Sequence, residues 1–118
     1  MQLETSMHED FLLVRPAQAR IDAAAAIQFK EAMRRALAET GDRRRVVLDM
    51  APVTFLDSSG LGALVAVMKL CTPDRQLELA GLTQPVARVF RLTRMDRVFT
   101  VHEEVPASPA TRMHQHGG

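Results

Sequence analysis

Residues 46–69 read VVLDMAPVTFLDSSGLGALVAVMK, and their pattern predicts the centre of the fold. Its first part, Val46–Met50, is a short apolar run with β-branched residues at its start, followed by Pro52, and it predicts a central buried strand. A loop is expected over residues 51–56, and the apolar spacing beyond it predicts a helix over residues 58–70. The stretch FLDSSGLG therefore joins a buried strand to a buried helix, at the edge where α/β proteins commonly place their binding sites.

The residues before this stretch predict a hairpin and a helix. Residues 3–7 alternate between apolar and polar side chains, and the apolar run Phe11–Val14 follows an acidic turn, which predicts two short strands in an N-terminal hairpin. The pair Arg15-Pro16 is expected to break the second strand or to place it at a sheet edge. Asp22 is the predicted N-cap of a helix that Gly41 ends. The apolar stripe expected for this helix comprises Ala26, Phe29, Met33 and Leu37.

The residues after the stretch predict a third helix between two more strands. A turn at Pro73-Asp74 leads into a strand over Leu77–Ala80, and a last strand is expected over Val98–Val101. Thr83 is the predicted cap of the helix between them, with Pro85 in its first turn. The order β-β-α-β-α-β-α-β requires parallel crossovers, so we predict an α/β fold with a mixed sheet. The inward-facing residues are expected to be Leu61, Leu64, Val65 and Met68 in the second helix and Val86, Val89 and Phe90 in the third.

Composition limits the classes of function. The 118 residues fit one domain, and a net charge of +1 gives no broad field that would attract nucleic acid or an anionic membrane. With five Phe, no Trp and no Tyr, the chain also lacks the aromatic side chains on which single-stranded nucleic acid stacks. We therefore expect neither nucleic acid nor a membrane as a direct partner.

The lack of a recognisable signal peptide and the single cysteine favour a cytoplasmic protein. Cys71 is the single cysteine, so no internal disulfide can form. The N-terminal residues are polar and acidic rather than those of a signal peptide, and the longest apolar run is far shorter than the roughly 20 residues that a membrane span needs. The folded domain is expected over residues 1–104. Residues 105–118 lack an apolar period and are expected to form a flexible tail. Its His114 and His116 would make a poor metal site, so no metal is predicted.

The presence of two glycines in FLDSSGLG requires an explanation, because Gly60 and Gly62 each lower the stability of a helix by about 1 kcal/mol relative to alanine. Either a strand or a binding partner approaches the backbone there. Known catalytic and nucleotide-binding motifs do not fit: Ala63 stands where a P-loop requires lysine, and Val65 stands at the third small position of a dinucleotide fingerprint. Both serines precede the glycines, unlike the serine of a nucleophile elbow. We therefore predict no enzymatic activity and no cofactor.

The whole pattern resembles a known family. Residues 3–104 are similar to the STAS-domain anti-sigma factor antagonists. Three segments carry this similarity: the stretch at 46–69, ARIDAAAA before it and LELAGLTQPVARVFRLTRMDRVFTVHEE after it. The resemblance implies a mixed sheet covered by helices and a binding protein switched by phosphorylation. In this family the unphosphorylated protein binds an anti-sigma factor, often also a GHKL-type serine kinase, and thereby releases a sigma factor. A PP2C-type phosphatase reverses the modification.

The resemblance also implies a site. The phosphorylated serine follows the motif aspartate, which makes Ser58 the expected acceptor, although Ser58 could simply cap the helix. Ser59 is expected to be a first-turn residue with a secondary role. Asp57 is expected to cap the helix or to hold the loop. The predicted partner-binding residues are Asp22, Asp57, Ser58, Ser59, Gly60 and Gly62.

The resemblance leaves room for an alternative function. A constitutive STAS adaptor or scaffold, in a stress-signalling or lipid-transport complex, is the alternative function, but such an adaptor has no need of the acceptor hydroxyl that this chain retains.

The family commonly has glycine where this chain has Arg94, so the end of the third helix is expected to be rearranged. The run Arg43–Arg45 could bind a phosphate or could be a solvent-exposed segment at the start of the strand. Met33, Met50, Met68 and Cys71 are expected to fill the core.

Overall fold

The computed structural model describes residues 1–39 and 45–106, which form a mixed α/β domain. The strands are β1 (Leu3–Met7), β2 (Leu12–Pro16), β3 (Arg20–Ile21), β4 (Arg45–Asp49), β5 (Phe55–Leu56), β6 (Gln76–Ala80) and β7 (Thr100–His102). The helices are α1 (Ala23–Glu39), α2 (Ser58–Cys71) and α3 (Gln84–Leu92), with a 3-10 turn at Met95–Arg97. The predicted order of elements is confirmed, and the short strands β3 and β5 are additional. The expected roles of Gly41, Arg43, Arg44, His114 and His116 fall outside the described residues.

The main sheet has the order β1-β2-β4-β6-β7. β1 and β2 form the predicted antiparallel hairpin, and the remaining neighbours are parallel, as crossover helices require. Of the two expectations for Arg15-Pro16, the sheet edge was wrong, because β2 is an inner strand, whereas the strand does end at Pro16. β2 pairs with β4 only over Leu12–Val14. Pro16 lies beyond this pairing, so its missing N–H leaves no hydrogen bond to β4 unmade.

The minor sheet corrects the prediction of a loop over residues 51–56. Arg20 pairs with Phe55 and Ile21 with Leu56 in a parallel arrangement. The amide N–H groups of Thr54 and Phe55 also donate to the carbonyl of Ala19, over 2.8 and 3.1 Å. Pairs this short leave no periodic signal in the sequence, because their strand state depends on a partner segment more than thirty residues away.

The helices pack on one face of the main sheet, against alternate residues of its central strands such as Leu48 and Leu79. In α1 the predicted stripe is confirmed, except that Ala25 rather than Ala26 is its fully buried alanine. In α2 the stripe is rotated, because Val67 and Cys71 are buried while Val65 and Met68 are only partly covered. The buried residues of α3 are Val86 and Phe90, and Val89 is half-buried. No helix in the described ranges is long and apolar enough to span a membrane.

The ends of α3 differ from two expectations. Thr83 occupies the N-cap position, but its hydroxyl donates to the carbonyl of Val53 over 2.7 Å instead of capping the helix. Pro85 lies in the first turn, as predicted. Arg94, after the helix, has φ 60° and ψ 20°, the left-handed conformation that a glycine adopts without strain. The backbone geometry suited to glycine is therefore kept, at a cost of roughly 1–2 kcal/mol for the arginine. The last strand begins at Thr100 rather than at Val98.

The opposite face of the sheet is organised around a buried carboxylate. Glu78 is only 3% exposed and accepts two hydrogen bonds from Arg45, over 2.7 and 2.9 Å. His102 Nε2 lies 2.6 Å from Oε1 of the same carboxylate. The hydrogen bond with Arg45 lowers the pKa of Glu78, against the effect of its burial. Val105, the first residue of the expected tail, packs against the small apolar cluster of Phe11, Val47 and Ala80 on this face.

Glu78→Gln should therefore destabilise the protein in a pH-dependent way. Because the pKa of Glu78 is lower in the folded than in the unfolded chain, its contribution is present above the unfolded value and is lost as the pH falls through the folded value. We expect a loss of about 1.5–3 kcal/mol in the free energy of unfolding at neutral pH, and a smaller loss in acid. Urea denaturation across the acid range measures this difference. Glu4→Gln, at an exposed position on β1, is the control. An equal loss for Glu78→Gln at every pH would contradict the assignment.

Candidate functional site

The site is built where two strands of the minor sheet run into two helices. β3 leads through Asp22 into α1, and β5 leads through Asp57 into α2. The register pairs Ile21 with Leu56, so the two aspartates come one residue after the last strand pair. Both helices therefore begin at the same edge of the molecule. This helix-start edge consists of Asp22, Asp57 and the first turns of α1 and α2.

Both aspartates cap their helices. The Asp22 carboxylate accepts a hydrogen bond from the Ala25 N–H over 3.1 Å, which confirms the predicted cap. The Asp57 carboxylate accepts one from the Gly60 N–H over 2.9 Å. The hypothesis that Ser58 caps α2 was wrong, because Asp57 occupies that position and Ser58 is the first helical residue.

Since Asp57 is the cap, the hydroxyl of Ser58 is available for another use. Ser58 and Ser59 are both exposed, and neither hydroxyl makes a hydrogen bond to any residue within 1–39 or 45–106. The first turn of α2 also carries the positive end of the helix dipole, which favours negative charge. Ser58 is thus an accessible hydroxyl at a position that tolerates an anion.

The two glycines have different surroundings. Gly60 is buried, and a Cβ at this position would lie 2.1 Å from the carbonyl oxygen of Ile21 and 2.7 Å from Cδ1 of Leu56. Gly62 is exposed, and a Cβ there would meet nothing within 4 Å. Gly60 therefore allows α2 to approach β3 closely, beneath the surface of the edge. Gly62 belongs to the surface itself.

A groove continues from this edge between α1 and α2. Its volume is about 230 Å³, and its lining is mostly small side chains, with Ile27 and Lys30 from α1. The remaining lining residues are Ala26, Ser59, Gly62, Ala63 and Ala66. Ile27 is 68% exposed although it is large and apolar. No local pattern in the sequence places Ile27 or Lys30 at a site, because only the packing of α1 beside α2 brings them next to Ser59.

Sequence reasoning also missed Arg20 and Phe55. The guanidinium carbon of Arg20 lies 4.0 Å from the centre of the Phe55 ring, a cation–π contact, and its Nε lies 3.7 Å from Oδ2 of Asp22. The pairing of β3 with β5 creates this contact, and the resemblance to a family did not point to it. Among the described residues, no group of three or more His, Cys, Asp or Glu could hold a metal ion.

Comparison with known proteins agrees with this fold. The sequence profile of the STAS domain matches residues 2–107, and the chain therefore belongs to the STAS domain family. The chain is 29% identical over 105 residues to an anti-sigma-B factor antagonist of Staphylococcus epidermidis, a match that covers 87% of this chain and 94% of that protein. The resemblance to STAS-domain anti-sigma factor antagonists is thereby confirmed.

Solved structures share the fold at lower sequence identity. An anti-sigma factor antagonist from Mycobacterium paratuberculosis is similar with a TM-score of 0.76 and 21% identity, over 88% of this chain and 86% of that one. The anti-sigma factor antagonist SpoIIAA in its unphosphorylated form is similar with a TM-score of 0.59 and 15% identity, over 99% of each chain. At these identities the similarity concerns the fold alone.

Alanine substitutions should separate the two glycines. Gly60→Ala places a methyl group against the Ile21 carbonyl, so we expect it to lower the free energy of unfolding by at least about 2 kcal/mol. Gly62→Ala enters open space and should raise that free energy by about 0.5–1 kcal/mol, because alanine favours the helix. Urea denaturation of both variants measures the pair of values. Equal effects would show that α2 does not approach β3 as described.

Proposed function

We propose that this chain is an anti-sigma factor antagonist switched by phosphorylation of Ser58. In its unphosphorylated form it binds an anti-sigma factor that is also a GHKL-type serine kinase, and so releases a sigma factor for transcription. The observation that carries the proposal is the exposed Ser58 hydroxyl, left without a hydrogen bond among the described residues because Asp57 caps α2. The similarity to the Staphylococcus epidermidis protein supports the choice of partner class.

The partner-binding surface that we propose is the helix-start edge together with Gly62. It includes Asp22, Asp57, Ser58 and Ser59, while Gly60 supports it from below by letting α2 pack against β3. We call this surface the docking edge. Its serines are exposed and the space beside Gly62 is open, so another protein can approach this surface.

A phosphate on Ser58 would change this surface without unfolding the domain. It adds about −1.5 to −2 charges at neutral pH. The N-terminus of α2 favours that charge by about 0.3–1 kcal/mol, so the fold is preserved. The carboxylates of Asp22 and Asp57 then stand beside a dianion, and a partner that fits a neutral serine meets bulk, negative charge and the cost of desolvating the phosphate.

In this proposal the domain binds and does not catalyse. The kinase activity belongs to the partner, a PP2C-type phosphatase removes the phosphate, and no cofactor, nucleic acid or membrane takes part. The setting is the cytoplasm. A constitutive adaptor would bind its partner equally well in either phosphorylation state, so the experiment below separates the two functions.

Ser58→Ala should bind the anti-sigma kinase constitutively and should gain no phosphate. Phosphorylation of the unaltered protein should weaken binding at least about tenfold, equivalent to ~1.4 kcal/mol. Intact-mass measurement after incubation with kinase and ATP, followed by calorimetry with the kinase, tests both points. Ser59→Ala is the matched control and should still gain one phosphate. Stoichiometric phosphorylation of Ser58→Ala would move the acceptor to another residue, and undiminished binding by the phosphorylated protein would favour the adaptor.

Gly62→Glu should abolish binding while the domain stays folded. The side chain enters open space, and an acidic residue in the first turns of a helix is favoured by the dipole. The bulk and charge then obstruct the docking edge. Gly62→Ala is the control, because it adds only a methyl group at the same position. Circular dichroism followed by titration with the kinase tests the pair. Unchanged affinity in a folded Gly62→Glu variant would place the interface elsewhere.

A further inference from the structure

Arg20 and Phe55 form an exposed pair directly before the docking edge. They lie opposite each other in the minor sheet, one position before Ile21 and Leu56. The Arg20 side chain is 61% exposed and Phe55 is 37% exposed, so neither is a core residue. The contact of 4.0 Å between the guanidinium carbon and the ring centre favours an orientation of the arginine flat against the ring. An aromatic ring at the surface thus serves as a platform for a cation.

The binding groups of this arginine are still available. Asp22 faces the Nε of Arg20 at 3.7 Å, which is an ion-pair distance but too long for a good hydrogen bond. Asp22 is meanwhile engaged as the cap of α1 through the Ala25 N–H. Within the described residues, the guanidinium contacts Asp22 and stacks on Phe55, and its terminal Nη groups donate no hydrogen bond. Those two groups form the planar fork that matches a carboxylate with two parallel hydrogen bonds.

We propose that Arg20, held on Phe55, is a recognition site for a carboxylate in an acidic segment of the partner protein. The site rests on the proposed function for the identity of the partner and adds the chemistry that the partner presents. Stacking on Phe55 orders the arginine before binding, which reduces the entropy lost when the complex forms. Arginine and aromatic residues are also the types that contribute most where proteins bind one another.

The neighbouring charges make Arg20 a determinant of register. Asp22 and Asp57 repel an acidic side chain along the helix-start edge, whereas Arg20 attracts it at one point, on the strand pair that leads into α1 and α2. A partner carboxylate on Arg20 therefore fixes how the partner lies across the serine. Complementary charge of this kind contributes to specificity and to the rate of association.

The direct test uses an acidic peptide and does not need the partner. Titration of the isotope-labelled protein with N-acetyl tetraglutamate amide, followed by NMR, should give saturable shifts at the Arg20 Nε–H and the Phe55 ring. The matching tetraglutamine peptide should give none. Arg20→Lys keeps the charge but lacks the fork, and should weaken peptide binding about tenfold. Phe55→Leu should weaken it also, because the platform is lost. Arg91→Lys, at an exposed position on α3, is the control and should have no effect.

Either of two results overturns the proposal. The first is the absence of saturable shifts at Arg20, and the second is shifts of equal size at Arg20 and Arg91, which would indicate general charge attraction. The same variants titrated with the anti-sigma kinase extend the test: Arg20→Lys should weaken that binding about tenfold as well. Peptide binding at Arg20 without any phosphorylation of Ser58 would leave this site in place and reject the proposed function. Normal switching at Ser58 together with undiminished kinase binding by Arg20→Lys would keep the proposed function and reject the site at Arg20.

Discussion

The site depends on the close packing of α2 against β3 at Gly60. There is no space for a Cβ at this position, since it would lie 2.1 Å from the Ile21 carbonyl oxygen. The close approach permits β3 and β5 to pair, and their pairing makes α1 and α2 begin side by side. Without it, Asp22 and Asp57 would have no reason to lie at one edge. One glycine thus connects the core of the domain to the geometry of its surface.

The choice of caps determines what the surface can do. In each helix an aspartate satisfies a backbone N–H of the first turn, Ala25 in α1 and Gly60 in α2. Because a carboxylate caps α2, the hydroxyl of the following serine is not needed as the helix cap. The same arrangement places negative charge beside Ser58, in the place where a phosphate would add more. The fold therefore keeps the Ser58 hydroxyl accessible. In the proposed switch, the neighbouring carboxylates would oppose binding once that hydroxyl carries a phosphate.

Much of this arrangement could be predicted from the sequence, and the failures have a physical cause. The main strands, the three helices and the Asp22 cap follow from local patterns of apolar and capping residues, whereas Ser58 was indicated by the family resemblance. The pairing of Arg20–Ile21 with Phe55–Leu56 does not, because two-residue strands carry no period. The rotation of the buried stripe in α2 follows from the packing of Gly60 on β3, which periodicity alone does not reveal. Arg20, Phe55, Ile27 and Lys30 were missed for the same reason, since tertiary contacts alone bring them to the site.

In the proposed switch, a phosphate on Ser58 acts at the surface and does not refold the domain. Backbone amide NMR shifts of the unmodified and the stoichiometrically phosphorylated protein test this. We expect changes confined to Asp22, Asp57 and the first turns of α1 and α2, with the core strands β4 and β6 unaltered. Shift changes that spread through β4 and β6, or a loss of dispersed signals, would contradict it.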